Sequence, residues 1–282
     1  MKEFIKKTVK IILRQIVNIN QKTRIGQYIH NLMINISMNQ VVKIEHNGCT
    51  LKFAAPNPLC NWRVRTFSTK EPETLEWIDS FPKNTVLWDI GANIGLYSIY
   101  AAKKMNCQVW AFEPSVFNLE LLVRNIFTNG LADQICIVPL ALSDQLGSNQ
   151  MRLTTIEWGG ALSTFGQQFG WDGKVIQPIF EFKTIGLSME NAVQSLAIPV
   201  PDYIKMDVDG LEHFLLKGGQ SILKVIKGIL IEVNDDFNEQ AVQCRRLLSE
   251  AGLILKEKRH SDLIANSKEG FQNGYNQIWI RN

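Results

Sequence analysis

Acidic side chains set around a glycine turn are the groups in this chain best suited to chemistry. Asp89 opens the run Asp-Ile-Gly-Ala-Asn-Ile-Gly95, and Glu113 follows the apolar stretch Gln108 to Phe112. A carboxylate at a strand tip roughly 20 residues beyond a glycine turn can accept two hydrogen bonds from ribose hydroxyls, which points to a nucleoside-bearing cofactor. Pyrophosphate sites want G-x-G-x-x-G so that the backbone can close on the phosphates. Gly91 and Gly95 supply only two glycines. A phosphate-free cofactor fits better, and Asp89 could attract a cationic ammonium such as the amino-acid end of S-adenosylmethionine. The same strand, turn and acid also permit a nicotinamide-dependent oxidoreductase, or a tight turn with no ligand.

If that cofactor is S-adenosylmethionine, its chemistry would be transfer of a methyl from a sulfonium by in-line displacement, in which catalysis is largely the alignment of acceptor and methyl in a dry site. A neutral hydroxyl acceptor is helped by a base within hydrogen-bond reach. Asp207 and Asp209, near the end of the apolar run Tyr203 to Val208, are candidates, with His213 one turn further on and Glu232 in the next apolar run. Asp207 is the first choice because its strand tip should face the methyl. Plainer roles stay open: Asp207 and Asp209 can cap a helix opening at Leu211, Glu232 can pair with Lys205, and His213 can be a packing residue. Asp207, Asp209 and Glu232 could also hold Mg²⁺ through their oxygens if the strand tips converge. The chain has no Asn/Asp-Pro-Pro-aromatic run and no basic, aromatic-interleaved face, so a nucleic-acid acceptor is not expected.

These residues must be positioned by strand tips. Val86 to Ile90 is apolar with little alternation, as expected of a strand covered on both faces, and Leu96 to Lys104 reads as the helix after the turn. Gln108 to Phe112 is the second strand. A helix from Ser115 to about Asn125 follows, and Ile135 to Leu142 is the third strand. Helices are expected at Ile185 to Leu196, Leu211 to Leu223 and Asp235 to Ala251. Strands are expected at Tyr203 to Val208, Gly228 to Val233, Leu253 to Lys258 and Gln277 to Ile280. This alternation predicts an α/β fold with a parallel, right-handed, doubly wound sheet. Residues 146–184, rich in glycine, threonine and aromatics, break the rhythm and read as a β-rich insertion or flap. Upstream, 41–53 reads as a hairpin around Asn47-Gly48, and 54–69 as a connector folding over a site mouth.

A net charge of +3 does not call for nucleic acid as a bulk partner, and five cysteines without C-x-x-C spacing predict neither a disulfide framework nor a zinc site. A reducing, cytoplasmic setting is the expectation. Residues 1–40 read as helical and basic, with Ile5, Val9, Ile12, Ile16 and Ile19 along one stripe. Residues 1–20 can lie against an anionic membrane, at its inner face, although docking on the chain's own domain or on a partner is the commoner outcome for such a helix.

Asp89-Ile-Gly-Ala-Asn-Ile-Gly95, Ala111-Phe-Glu-Pro114, Ala141-Leu-Ser-Asp144 and Lys205-Met-Asp-Val-Asp-Gly-Leu-Glu212 occur in this order. Together they resemble the FkbM family of S-adenosylmethionine-dependent methyltransferases, from about Glu71 to about Asn282. The resemblance implies a seven-stranded sheet of order 3-2-1-4-5-7-6 with an antiparallel last strand. It also implies methyl transfer, usually to a hydroxyl of a sugar or natural product. Asp89, Gly91, Asn93 and Gly95, with Ala92 between them, would surround the methionine portion. Glu113 would hold the ribose, and Leu142 with Ser143 would border the adenine. Asp209 stands where relatives commonly carry glutamate.

The expected organisation is therefore an N-terminal helical extension (1–40), a hairpin and connector (41–70) and a methyltransferase domain (71–282). The expected acceptor is a small molecule, a saccharide or a glycolipid precursor. A catalytically silent cofactor-binding module in a glycan-assembly complex is the alternative from another class.

Overall fold

A computed structural model describes residues 2–266 and 271–282. It starts with two helices, α1 (Lys2–Asn20) and α2 (Arg24–Met38), and Thr23 caps the second by accepting from the Gly26 amide at 3.0 Å. Strands β1 (Val41–His46) and β2 (Cys49–Ala54) form an antiparallel hairpin that turns at Asn47 and Gly48, both at positive φ. Leu51 and Phe53 of β2 are fully buried in the same apolar cluster as Leu87, Ile99 and Leu121, so the hairpin is welded to the main core.

The stretch read as a connector is helical. Asn57 accepts from the Cys60 amide at 2.7 Å and Pro58 occupies the first turn, so the residues that looked like helix breakers start α3 (Pro58–Arg65). Two short helices follow, α4 (Phe67–Lys70) and α5 (Pro72–Asp79). The glycine turn lies between β3 (Val86–Ile90) and α6 (Leu96–Met105), and the next pairs are β4 (Gln108–Phe112) with α7 (Val116–Asn129).

The third apolar run does not stay one strand. Pro139 lacks an amide donor, so the ladder stops at β5 (Ile135–Val138). Ala141 and Leu142 (β6) pair instead with a second sheet made with β7 (Gly147–Leu153), β8 (Thr164–Phe165) and β9 (Phe180–Leu187) in the order β6-β9-β7-β8. The expected insertion is thus a β-sheet, and β9 takes Ile185 to Leu187 from the predicted helix. Ser188 then begins α8 (Met189–Leu196) with a capping box to Asn191.

Beyond β10 (Tyr203–Met206), Gly218 and Gly219 divide the predicted helix into α9 (Glu212–Lys217) and α10 (Gln220–Leu223). The chain closes with β11 (Gly228–Asn234), α11 (Asn238–Glu250), β12 (Ile254–Arg259), α12 (Asp262–Ala265) and β13 (Gly274–Ile280). The large sheet runs β12-β13-β11-β10-β3-β4-β5, which is the expected order read from the other edge. Its central strands are parallel, and β13 is antiparallel to both neighbours. Alternation along β3 sends Leu87 into one apolar cluster and Trp88 and Ile90 into the other, so helices cover both faces. The order reverses between β3 and β10, where open α/β sheets bind ligands beyond the carboxyl ends of their strands.

Candidate active site

The turn after β3 is held from below by its neighbours. The amides of Gly91 and Ala92 both donate to the Phe112 carbonyl at 3.0 Å. Gly91 adopts φ +79°, and a Cβ there would lie 1.9 Å from the Asp207 carbonyl oxygen, so only glycine lets β3 and β10 close here. Glu113 points at this turn. One of its oxygens accepts from the Asn93 amide at 2.8 Å and the other from the Ser115 amide at 2.7 Å. It is buried, and burial pushes its carboxyl up to about 7 against the pull of those two amides.

The same strand ends open a cavity of about 830 Å³. Gly91, Asn93 and Glu113 line it, with Phe112, Leu140 and Leu142 as apolar wall. Asp207, Asp209, Glu212 and Glu232 supply carboxyl groups, and Lys70 and Arg63 supply cations.

Those carboxyl groups differ in charge state. Burial raises the Asp207 carboxyl, but Lys205, 3.3 Å away, and then Lys70 pull it down further, so it is held well below the usual carboxylate range. Its side chain is 27% exposed and faces the cavity that it lines. Glu232 hydrogen-bonds Asp207, and burial together with that charge raises its own carboxyl well above the ordinary value. The two form a coupled carboxyl pair in which Asp207 is the more acidic member. Burial and the Asp207 charge push Asp209 up to about 7. Asp209 sits at positive φ, 56°, and accepts from the Leu162 amide at 2.7 Å. Glu212, raised by burial to about 7, accepts from the Val208 and Gly210 amides at 2.9 and 3.1 Å and fastens the turn.

A strap of residues 157–163, between β7 and β8, crosses this site. Gly160 O accepts from the side-chain amides of Asn93 and Asn118 at 2.8 and 3.0 Å, and Asn118 accepts in return from the Gly159 amide at 3.0 Å. Arg63 Nε donates to Gly159 O at 2.7 Å. The strap is therefore tied to α3, to the glycine turn, to α7 and to Asp209.

Residues 89–255 match the methyltransferase FkbM domain. The chain belongs to the FkbM methyltransferase family. Its cofactor is S-adenosylmethionine. The chain is similar to the hexuronic acid methyltransferase AglP of Haloferax volcanii, 27% identical over 234 residues that span 80% of this chain and 88% of that protein. The methyltransferase sdnD of Sordaria araneosa is 33% identical over 72 residues, 25% of this chain and 28% of that protein. Among solved structures, TYW2 of M. jannaschii in complex with AdoMet aligns with a TM-score of 0.43 at 14% identity, over 86% of this chain and 87% of that one. TYW2 of P. horikoshii in complex with MeSAdo aligns with a TM-score of 0.46 at 13% identity, over 85% and 69%.

The cavity of this FkbM-family chain gathers some of the predicted residues and leaves others off its wall. Gly91, Asn93, Glu113, Leu142, Asp207 and Asp209 reach the cavity wall, whereas Asp89, Ala92, Gly95, Ser143 and His213 do not. Asp89 is 1% exposed, accepts from Ser98 Oγ at 2.5 Å and lies 3.8 Å from Lys205 Nζ, with its other oxygen lacking a hydrogen bond. Alternation along β3 turns its side chain toward Ser98 of α6, beneath the turn and off the cavity wall. Gly95 is the left-handed N-cap of α6. His213 is fully buried against Phe214 and Phe237, with neither ring nitrogen hydrogen-bonded, and burial lowers it to about 4. It packs among aromatic rings and does not line the cavity. Among the described residues no group of three or more His, Cys, Asp or Glu side chains is disposed to hold a metal, and Asp207 is committed to Lys205 and Glu232.

The sequence reading missed the FkbM site's contributions from α3, α4, α7 and the strap: Arg63, Lys70, Asn118 and Leu162. The Asn57-Pro58 start of α3 was the signal available for the first of these.

Proposed function

We propose that this FkbM enzyme methylates an oxygen of a saccharide or of a glycolipid precursor, with an acidic sugar as the best-supported acceptor class. The reading rests on one observation: a single cavity holds a nucleoside-type wall, Gly91, Asn93 and Glu113, together with Asp209, whose carboxyl lies near 7. The hexuronic acid acceptor in the name of the Haloferax volcanii relative supports the acidic sugar. Arg63 and Lys70 bring positive charge to that cavity, and Trp62 and Trp171 bring flat apolar faces on which a sugar ring can pack.

The wall fits S-adenosylmethionine. Two backbone amides and the Asn118 side chain take up three of the four lone-pair directions of Glu113, which leaves one for a ribose hydroxyl. Phe112, Leu140 and Leu142 form an apolar strip suited to a purine, and a volume near 830 Å³ lies within the range of ligand cavities, roughly 300–1,000 Å³. When bound, the cofactor supplies a methyl group on a positively charged sulfur. Glu113 would hold the ribose, Gly91 and Asn93 would border the methionine portion, and Leu142 the adenine.

Asp209 is the general base in this reading. A carboxylate with a value near 7 accepts a hydroxyl proton far better than Asp207, which Lys205 keeps strongly acidic. Asp207, ionised at all working pH values, attracts the sulfonium side of the site instead. The strap excludes water above the reacting atoms. Incubation with tritium-labelled cofactor and extract fractions, followed by identification of the labelled product, tests the assignment. Label on the oxygen of an acidic glycan is expected, and label on protein, nucleic acid or a nitrogen would overturn it.

A further inference from the structure

The helical arm of α1 and α2 stands off the domain. No described α1 side chain is buried, and α2 buries only Gly26 and Met38. Ile5, Val9, Ile12 and Ile16 form an exposed stripe on α1. Helical spacing gathers Ile25, Tyr28, Ile29, Leu32 and Ile36 on α2 in the same way, with Ile25 74% and Tyr28 69% exposed. Two consecutive helices thus present apolar stripes to water, which is what surfaces awaiting a partner do.

Charge decides which partner. Residues 1–40 contain seven of the 30 lysines and arginines and one of the 27 acids, so the arm carries +6 and the remainder of the chain −3. A second copy of the arm would bring like charge against like charge. Lys7, Lys10 and Arg14 lie around the α1 helix on the side away from Ile5, Ile12 and Ile16, the arrangement of a helix lying in an anionic lipid interface. No described helix is long and apolar enough to cross a membrane.

We propose that α1 and α2 together form a docking surface for an anionic lipid bilayer, with both apolar stripes set into the interface and the basic side chains against the headgroups. The proposal rests on the arm alone and does not depend on which acceptor is methylated.

Sedimentation of the full chain with vesicles of phosphatidylcholine, with and without phosphatidylglycerol, tests it. The protein should pellet with the anionic vesicles and be released by salt. Lys7→Gln with Lys10→Gln and Arg14→Gln should lower that partition about tenfold or more. Ile12→Asp with Leu32→Asp should abolish it, and both variants should keep the far-ultraviolet dichroism and melting temperature of the parent. Equal partition into both vesicle types, retention in the supernatant with phosphatidylglycerol present, or a lipid-free dimer that Ile12→Asp with Leu32→Asp dissociates would each overturn the proposal. None of these readouts uses methyl transfer, so failure of the acceptor assignment is scored separately.

Discussion

At the scale of single residues, Glu113 and Asp209 share a value near 7 for different reasons. Glu113 is raised chiefly by burial, with a smaller push from the Asp209 charge, and is held by two amides. Asp209 is raised by burial and by the neighbouring Asp207 charge. If Glu113 holds the ribose, Glu113→Ala removes charge-assisted hydrogen bonds and should weaken S-adenosylmethionine by roughly 1–3 kcal/mol. Isothermal titration reads this, and an unchanged Kd would remove Glu113 from the site. Asp209→Asn should leave the cofactor Kd nearly as it is while lowering kcat by about a hundredfold or more, the usual worth of a general base. A base must be unprotonated to act, so kcat/KM of the parent should rise with pH through about 7 and level off above it. A profile flat from pH 6 to 8 would mean that another group takes the proton, or that none is needed.

At the scale of elements, the strap depends on one asparagine more than on any other side chain. Asn118 donates to Gly160 O and accepts from the Gly159 amide, and α7 holds it below solvent. Replacing it with alanine leaves the Gly159 amide without its side-chain acceptor, at a cost of about 1–3 kcal/mol, while Gly160 O keeps Asn93 as a donor. Asn118→Ala should therefore speed amide hydrogen exchange at Gly159 and raise proteolytic nicking within 157–163, with little change elsewhere in the large sheet. Unaltered exchange at Gly159 would show that Arg63, Asn93 and Asp209 hold the strap without it.

For the whole molecule, the raised carboxyl groups make folding pH-dependent. Glu113 and Glu212 have an ordinary value of 4.5, Asp209 one of 3.8, and all three stand near 7 in the fold. Between those limits the folded chain keeps protons that the unfolded chain has released, so stability falls as pH rises from about 4.5 to 7. Asp207 works in the opposite direction only below its ordinary value of 3.8, and His213, lowered from 6.5 to about 4, opposes the fall between those limits as one group against three. The cofactor-free protein should melt at a lower temperature at pH 8 than at pH 5.5, and Glu113→Gln should reduce the difference. A melting temperature that climbs across this interval would contradict the burial of these groups.

The succession of strands and helices, the glycine turn and the acid at the second strand tip were readable from the chain because each is a local pattern, whereas the order of strands in the sheet followed only from the resemblance to the FkbM family. An apolar run, a residue tolerant of positive φ and a polar residue at the tip need only near neighbours in sequence. Local pattern did not extend to Pro139, where loss of one donor moved Ala141 and Leu142 into a second sheet, nor to the helical start at Asn57-Pro58. The distribution of work among the acids was decided only in three dimensions. Asp89, Asp207 and Asp209 look alike in sequence, yet one is turned under the sheet toward Ser98, one is neutralised by Lys205, and one is left near 7 against the strap. Desolvation and ion pairing set those outcomes, and both depend on side chains that arrive from α3, α4, β10 and β11, far along the chain.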